Sequence, residues 1–423
     1  MYKLTHHPSG LTIATARMPH MSSVSLGIWV GVGGRFEPEN VCGVSHFIEH
    51  MLFKGTKRRS ARQISQDVEG IGGYLNAFTS EENTCFYTKA GGERLEHLWN
   101  VLADMFLNST FDPVELEKER NVIKEEYSMY LDQPHHHVQE LLNETLWPDQ
   151  PLGRPLTGTP ESLNSLTREQ MIDYLRRNYV TRSTLITAAG NISHKELNEL
   201  VDKVARKFPN AAPPIFKPVT VDQNAPKLRL FTKETEQTQI ALGIRTCSRH
   251  DERRYALRLL NVMLGENMSS RLFQTIREDN GLAYSIFSSL GFFDDVGILN
   301  ISAGLDTDKL EKTLKLIMTE LAVFTTNLPG TGELRRARDY VFGQLDLSLE
   351  NTENQMTWLG EQFLGYGKIV SPEEVKKNLS EITPSEIRCI AREFFRPERI
   401  SLALVSPLKQ ARGLERILGN VCV

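Results

Sequence analysis

The sequence has few features of a secreted, membrane-bound or nucleic-acid-binding protein. Its cysteines are odd in number, scattered and never arranged as Cys-x-x-Cys, which predicts reduced thiols rather than a disulfide framework. The five cysteines are Cys42, Cys85, Cys247, Cys389 and Cys422. The first residues form neither the apolar stretch of a signal peptide nor an Arg-rich transit peptide, and no later apolar run approaches the length of a membrane span. We therefore expect a cytoplasmic protein with no membrane partner.

An excess of charge of one sign is also missing. The chain has 49 Lys and Arg residues against 53 Asp and Glu residues, a formal net charge of −4. This balance gives no electrostatic footprint for nucleic acid, so a nucleic-acid partner is not expected. A chain of 423 residues, of which 40% are hydrophobic, is long enough for two or more domains.

The most informative segment of the sequence is Gly43-Val-Ser-His46-Phe-Ile-Glu49-His50. In a helix, His46 and His50 lie one turn apart, and Glu49 projects from the same side. Zinc commonly takes imidazole ligands and keeps one position open for water in catalytic sites. The spacing supplies two ligands and a carboxylate that can act on that water, and it reverses the His-Glu-x-x-His arrangement found in many zinc peptidases.

The two halves of the chain repeat one order of predicted elements. The apolar run Val24 to Val32 alternates like a strand and is followed by the helix with the two histidines, a strand pair and further helices. In the second half, the segment Ile240-Ala-Leu-Gly-Ile echoes Val24-Ser-Leu-Gly-Ile. Such a repeat predicts a duplicated unit.

A proline-rich segment at residues 209–226 separates the repeats and has the composition of an extended linker. We predict an α+β fold in which two homologous α/β-layered halves form a clamshell. The predicted domains are a zinc-binding half at 1–208 and a homologous half at 227–423. Aligning the repeats sets Leu257, Leu260 and Asn261 against His46, Glu49 and His50, so only the first copy carries the metal motif.

Two histidines leave a zinc site short of one protein ligand. The predicted helix from Asp112 to Tyr130 is rich in glutamates, and its apolar residues Val122, Ile123 and Met129 are expected to mark a buried face. Periodicity does not choose between Glu125 and Glu126 as the missing ligand. A second metal site at His135, His136 and His137 is not expected, because consecutive side chains point in different directions; we expect solvated histidines at a helix start.

Three segments together resemble the pitrilysin-type (inverzincin) zinc metallopeptidases. The likeness is greatest to the small bacterial processing proteases and to the β subunit of the mitochondrial processing peptidase. The segments are His46-Phe-Ile-Glu49-His50-Met-Leu-Phe-Lys-Gly-Thr, Gly73-Tyr-Leu-Asn76-Ala77-Phe-Thr79 and Glu119-Arg-Asn-Val-Ile-Lys-Glu-Glu126. The resemblance extends over nearly the whole chain, including its two-unit layout.

For the metal site, the resemblance implies one zinc ion per chain. His46, His50 and Glu126 would bind the ion, Glu49 would act as general base, and Glu119 would be a catalytic carboxylate that supports the ligands.

For the substrate, the resemblance implies that Asn76 and Ala77 hold the peptide backbone beside the bond to be cleaved. In the second half, Arg277 and Tyr284 match a family pair that grips the substrate and supports the developing oxyanion.

The function implied is a zinc endopeptidase that hydrolyses short or unfolded peptides within a closed chamber. Because the family's two-unit chains need four units to close such a chamber, a homodimer is expected, with a heterodimer as the alternative. The alternative function is a non-catalytic or partner-dependent subunit that binds peptides in a processing-peptidase-like complex.

Overall fold

The computed structural model describes residues 2–419. The predicted thiol of Cys422 lies outside the described residues, while Cys42, Cys85, Cys247 and Cys389 carry reduced thiols. Within residues 2–419, no helix is both long and apolar enough to cross a membrane.

The first half of the chain contains six strands and eight α-helices of the described structure. The strands are β1 (Tyr2–His6), β2 (Thr12–Arg17), β3 (Ser23–Val30), β4 (Tyr74–Thr79), β5 (Thr84–Gly91) and β6 (Thr184–Gly190). The helices are α1 (Val44–Leu52), α2 (Ala61–Glu69), α3 (Leu95–Asn108), α4 (Pro113–Asp132), α5 (Pro134–Leu146), α6 (Pro160–Ser165), α7 (Arg168–Asn178) and α8 (His194–Asp202).

The second half follows residues 209–226, which contain neither helix nor strand. Its strands are β7 (Lys227–Thr232), β8 (Thr238–Thr246), β9 (Ala283–Phe292), β10 (Gly297–Leu305) and β11 (Ile400–Ser406). Its α-helices are α9 (Arg253–Asn261), α10 (Leu310–Thr326), α11 (Thr331–Ser348), α12 (Thr352–Tyr366), α13 (Pro372–Glu381), α14 (Pro384–Phe394) and α15 (Leu414–Leu418).

Two sheets with matching pairing confirm the predicted α+β fold with a duplicated α/β-layered unit. The first sheet has the strand order β1-β2-β6-β3-β5-β4, and the second has β7-β11-β8-β10-β9. Strands β2 and β6 pair in parallel, as do β7 and β11, while the remaining strands that correspond in the two sheets pair antiparallel. Apart from the additional edge strand β1, one topology therefore accounts for both sheets.

The division into compact units differs from the continuous halves predicted from the sequence. The first unit comprises Met1–Ser128, Arg154–Lys217 and Leu347–Ile369, and the second comprises Met129–Gly153, Pro218–Asp346 and Val370–Val423. Each unit thus includes one helix from the other half of the chain. Helix α12 packs on β2, β3 and β6 of the first unit, and α5 packs on β7, β8 and β11 of the second.

The sequence echo noted between the two halves marks the places where these exchanged helices approach. A Cβ atom added at Gly27 of β3 would lie 2.6 Å from Sδ of Met356 in α12. A Cβ atom added at Gly243 of β8 would lie 2.8 Å from Cδ1 of Leu146 in α5. Glycine at both positions leaves room for the exchanged helix.

We expect Gly360→Ala to lower the free energy of unfolding by about 1–3 kcal/mol, because the added methyl group has no room in a packed core. An added Cβ would lie 2.2 Å from Cε2 of Trp29, whose side chain is fully buried. Calorimetric melting should show the loss. Gly343→Ala in helix α11 is the matched control: no neighbour lies within 4 Å of its added Cβ, so helix propensity predicts unchanged or slightly higher stability. An equal effect of both substitutions would contradict this packing argument.

Candidate metal centre

Helix α1 divides its side chains between the core and the site. Phe47, Ile48, Met51 and Leu52 are fully buried, while His46, Glu49 and His50 are half-buried on the other face. The predicted helix is therefore present. Its 3.6-residue period places the apolar side chains on the core face and the two histidines and Glu49 on the other.

Glu37 fixes the start of this helix. Its carboxylate accepts hydrogen bonds from the backbone N–H groups of Gly43 at 2.6 Å and Ser45 at 2.7 Å, two donors that the first turn leaves unpaired. Burial raises the pKa of Glu37 to about 7, against the effect of these hydrogen bonds. Gly43 has a φ of +87°, and an added Cβ would lie 2.7 Å from Cα of Gly158, so the entry to the helix requires glycine.

The buried face of helix α4 differs from the predicted one. Ile123 is buried, but Val122 and Met129 are each 48% exposed, so the predicted buried face is wrong at two of its three residues. The buried residues are instead Leu116, Glu119, Arg120 and Ile123, at helical spacings of three and four. In this register, Glu125 is exposed and Glu126 is half-buried.

The structure brings His46, His50 and Glu126 together. One ligand atom from each lies within 4.8 Å of the others, and this is the one group of three potential metal ligands found within residues 2–419. Oε2 of Glu126 is 3.7 Å from Nε2 of His46 and 3.7 Å from Nε2 of His50. A tetrahedral zinc ion with bonds of about 2.0–2.2 Å holds its ligand atoms roughly 3.3–3.6 Å apart. The donor set and its spacing fit zinc with small adjustments.

The two histidines have different surroundings. Burial, together with the neighbouring His50, lowers the pKa of His46 to about 3, so its imidazole is neutral, as a metal ligand must be. Nδ1 of His46 is buried without a hydrogen-bond partner among the described residues. Nδ1 of His50, in contrast, lies 3.0 Å from Oε2 of Glu119. Glu119 therefore contacts one of the two candidate ligands directly.

Glu49 lies beside the cluster without belonging to it. Thr79 at the end of β4 donates a hydrogen bond of 2.5 Å to Oε2 of Glu49. Burial raises the pKa of Glu49, and the hydrogen bond from Thr79 opposes this rise. A partly buried carboxylate held in one orientation can take up and release a proton.

The strand that carries Thr79 also carries the predicted substrate residues. Asn76 and Ala77 lie on β4, which is at the edge of the first sheet and pairs with β5. Asn76 is exposed and Ala77 is half-buried. The side-chain oxygen of Asn76 accepts a hydrogen bond of 2.9 Å from the N–H of Ala77. An edge strand has backbone groups available for an added peptide.

Arg277 and Tyr284 lie in the second unit and come together there. The Arg277 guanidinium is 5.7 Å from the centre of the Tyr284 ring and 4.7 Å from that of Phe273. Tyr284, on β9, is 79% exposed. Their role in gripping a substrate stays a prediction.

Two other sequence predictions concern positions without a metal motif. His135 and His136 are exposed at the start of α5, as expected, but His137 is buried and packs on the ring of Phe231, because this side of α5 faces its sheet. On α9, Leu257, Leu260 and Asn261 are all buried.

Sequence reasoning missed three residues that shape the site. Glu37 binds the start of α1, Thr79 binds Glu49, and Nζ of Lys54 lies 2.6 Å from Oε1 of Glu119. Each acts through a contact that depends on the fold. The segments quoted for the resemblance contain Lys54 and Thr79, but residue type alone assigns neither a partner.

Comparison with known proteins places these residues in a family context. The family described as insulinase (peptidase family M16) matches residues 12–160, and the family described as peptidase M16 inactive domain matches residues 165–341. A protein of Bacillus subtilis named an uncharacterized zinc protease is 38% identical over 94% of this chain and 97% of its own length. A Mycobacterium leprae protein with the same description is 35% identical over 97% of this chain and 93% of its own length.

Solved structures show the same fold at lower identity. A protease from Helicobacter pylori superposes with a TM-score of 0.89 at 18% identity, covering 96% of this chain and 99% of the other. A Pseudomonas fluorescens structure described as a peptidase M16 inactive domain also gives 0.89 at 18% identity, covering 97% and 99%.

Proposed function

This chain belongs to the insulinase family of peptidases, family M16, and from that premise we propose that it is a zinc-dependent endopeptidase. The observation that carries the proposal is the convergence of His46, His50 and Glu126 beside the half-buried carboxylate of Glu49. A complete ligand set with an adjacent base does not favour the alternative of a non-catalytic subunit.

The proposed metal ligands are His46, His50 and Glu126, with one zinc ion per chain. Zinc, when bound, supplies Lewis-acid polarisation and makes water a better nucleophile near neutral pH. Glu49 accepts the proton of the attacking water and then delivers it to the leaving amine. The hydrogen bond from Thr79 keeps the carboxylate in place for both transfers.

The substrate is proposed to be a short or unfolded peptide that extends the first sheet. Edge strand β4 offers backbone hydrogen bonds to an extended peptide, which supply affinity without requiring a particular sequence. Asn76 and Ala77 would contact the peptide backbone there. Arg277 and Tyr284 are proposed to bind the substrate and to support the oxyanion.

The family resemblance supports the proposal of a homodimer that encloses the peptide in a chamber, with a heterodimer as the alternative; the proposed location is the cytoplasm. Analytical ultracentrifugation of the purified chain tests this assembly: a sedimentation coefficient of a monomer, with full activity, would contradict it.

Cleavage of a mixed library of short peptides by the purified chain tests the proposed activity. We expect internal cleavage, about one zinc ion per chain, and loss of activity on chelation that added zinc restores. Mass spectrometry of the products and metal analysis provide the readouts. Bound zinc without cleavage would favour the accessory-subunit alternative, and cleavage that persists in the fully metal-free chain would contradict metal dependence.

A further inference from the structure

The carboxylate of Glu119 has two different partners. Its Oε2 atom lies 3.0 Å from Nδ1 of His50, and its Oε1 atom lies 2.6 Å from Nζ of Lys54. The Glu119 side chain is 7% exposed and that of Lys54 is 29% exposed. His50, Glu119 and Lys54 therefore form a continuous chain of contacts that ends at a lysine near the surface.

The position of Lys54 follows from the local backbone. Helix α1 ends at Leu52, and the N–H of Lys54 donates a hydrogen bond of 3.1 Å to the carbonyl of Met51, which continues the turn beyond the helix. Residues four apart lie on the same side of a helix, so Lys54 follows His50 on the side that faces Glu119. Helix α4 supplies Glu119 from a distant part of the sequence.

Two partners hold a carboxylate more firmly than one. A buried carboxylate is costly unless it is paired, and Lys54 provides the opposite charge. With Oε1 held by Lys54, Oε2 is directed at Nδ1 of His50, which leaves Nε2 of His50 facing Glu126 at 3.7 Å. The other candidate ligand, His46, has no comparable support, because its Nδ1 has no partner among the described residues.

We propose that Lys54 is a positioning residue of the metal centre, which orients His50 by holding Glu119. This inference rests on the proposed function, since it presumes that zinc binds at His46, His50 and Glu126. Outer partners of metal-ligating histidines typically change metal affinity by about 10–100-fold. The role assigned to Lys54 is therefore in metal retention, separate from the proton transfers of Glu49.

Zinc affinity measured by chelator competition tests this role without relying on activity. We expect Lys54→Met to weaken zinc binding by about 10–100-fold relative to the wild type. Lys54→Arg, which keeps the positive charge, should retain most of the wild-type affinity. Lys57→Met is the matched control, because Lys57 is an exposed lysine only three residues away, and its zinc affinity should equal that of the wild type. Circular dichroism of each metal-free chain checks the fold. Lys54→Gln, which retains a hydrogen-bond donor, should lose less zinc affinity than Lys54→Met.

A double-mutant cycle distinguishes action through Glu119 from a general effect of charge. In a Glu119→Gln background, Lys54→Met should weaken zinc binding by less than about threefold, since its partner carboxylate is already gone. Equal weakening in both backgrounds, or no weakening in the wild-type background, would overturn the inference. If the wild-type chain binds zinc and cleaves peptides, the proposed function stands whatever the Lys54 variants show. If the wild-type chain binds no zinc, both the proposed function and the role of Lys54 are overturned.

Discussion

Glu49→Gln is expected to lower kcat for peptide cleavage by about 10²–10⁴-fold while zinc content stays at the wild-type level. Glutamine keeps the size of the side chain and can still accept the hydrogen bond from Thr79, but it does not take up a proton from water. Glu49 is not among the three converging ligand atoms, so the metal should remain. Steady-state kinetics with a fluorogenic peptide, together with metal analysis of the same samples, provide the measurement.

Glu69→Gln is the matched control for this substitution, because Glu69 is an exposed glutamate at the end of α2. It should leave kcat, KM and zinc content unchanged. Wild-type turnover by a zinc-loaded Glu49→Gln chain would exclude Glu49 as the general base. Loss of zinc from that chain would instead assign Glu49 to the metal site.

The local pattern around α1 predicted this part of the site well. His46, Glu49 and His50 lie within five residues, so helical spacing alone fixes their common face, and the structure has that helix at Val44–Leu52. The repeated order of strands could also be predicted, because short apolar runs such as Val24 to Val32 mark strands locally. Both predictions rest on short-range periodicity, which does not depend on the rest of the fold.

The sequence did not predict which compact unit each helix joins, and the reason is physical. An apolar helix face shows that a helix packs against something, but it does not identify which sheet. Helices α5 and α12 pack on the sheets of the opposite halves, so division at the proline-rich segment gave boundaries that differ from the compact units. The glycines at 27, 243 and 360, where these helices approach their sheets closely, are signs of the exchange in the sequence.

The contacts that orient the site could not be predicted from the sequence either. Glu37 binds the start of α1, Thr79 binds Glu49, and Lys54 pairs with Glu119, yet none of these pairs is fixed by spacing. Each pairing depends on where a loop, a strand edge or α4 lies in the fold. The catalytic motif could therefore be read from the sequence, but the contacts that orient it could not.

The adjacent glutamates of α4 provide the sharpest test of the metal site, because the sequence alone left both open as ligands. Glu126→Gln is expected to weaken zinc binding by more than about 100-fold, beyond the usual effect of an outer partner, because it removes a direct ligand. Glu125→Gln is the matched control: the two residues differ by one position, which is about 100° of helix rotation, and Glu125 is exposed.

Chelator competition on both chains measures the difference, and retention of zinc by Glu126→Gln with loss by Glu125→Gln would reverse the assignment. The observed geometry argues against that reversal. Oε2 of Glu126 lies at the same 3.7 Å distance from Nε2 of both histidines, so a single carboxylate oxygen completes a three-sided arrangement of donors. Rotating α4 to bring Glu125 into this position would also move Glu119 away from His50 and Ile123 out of the core, which packing opposes.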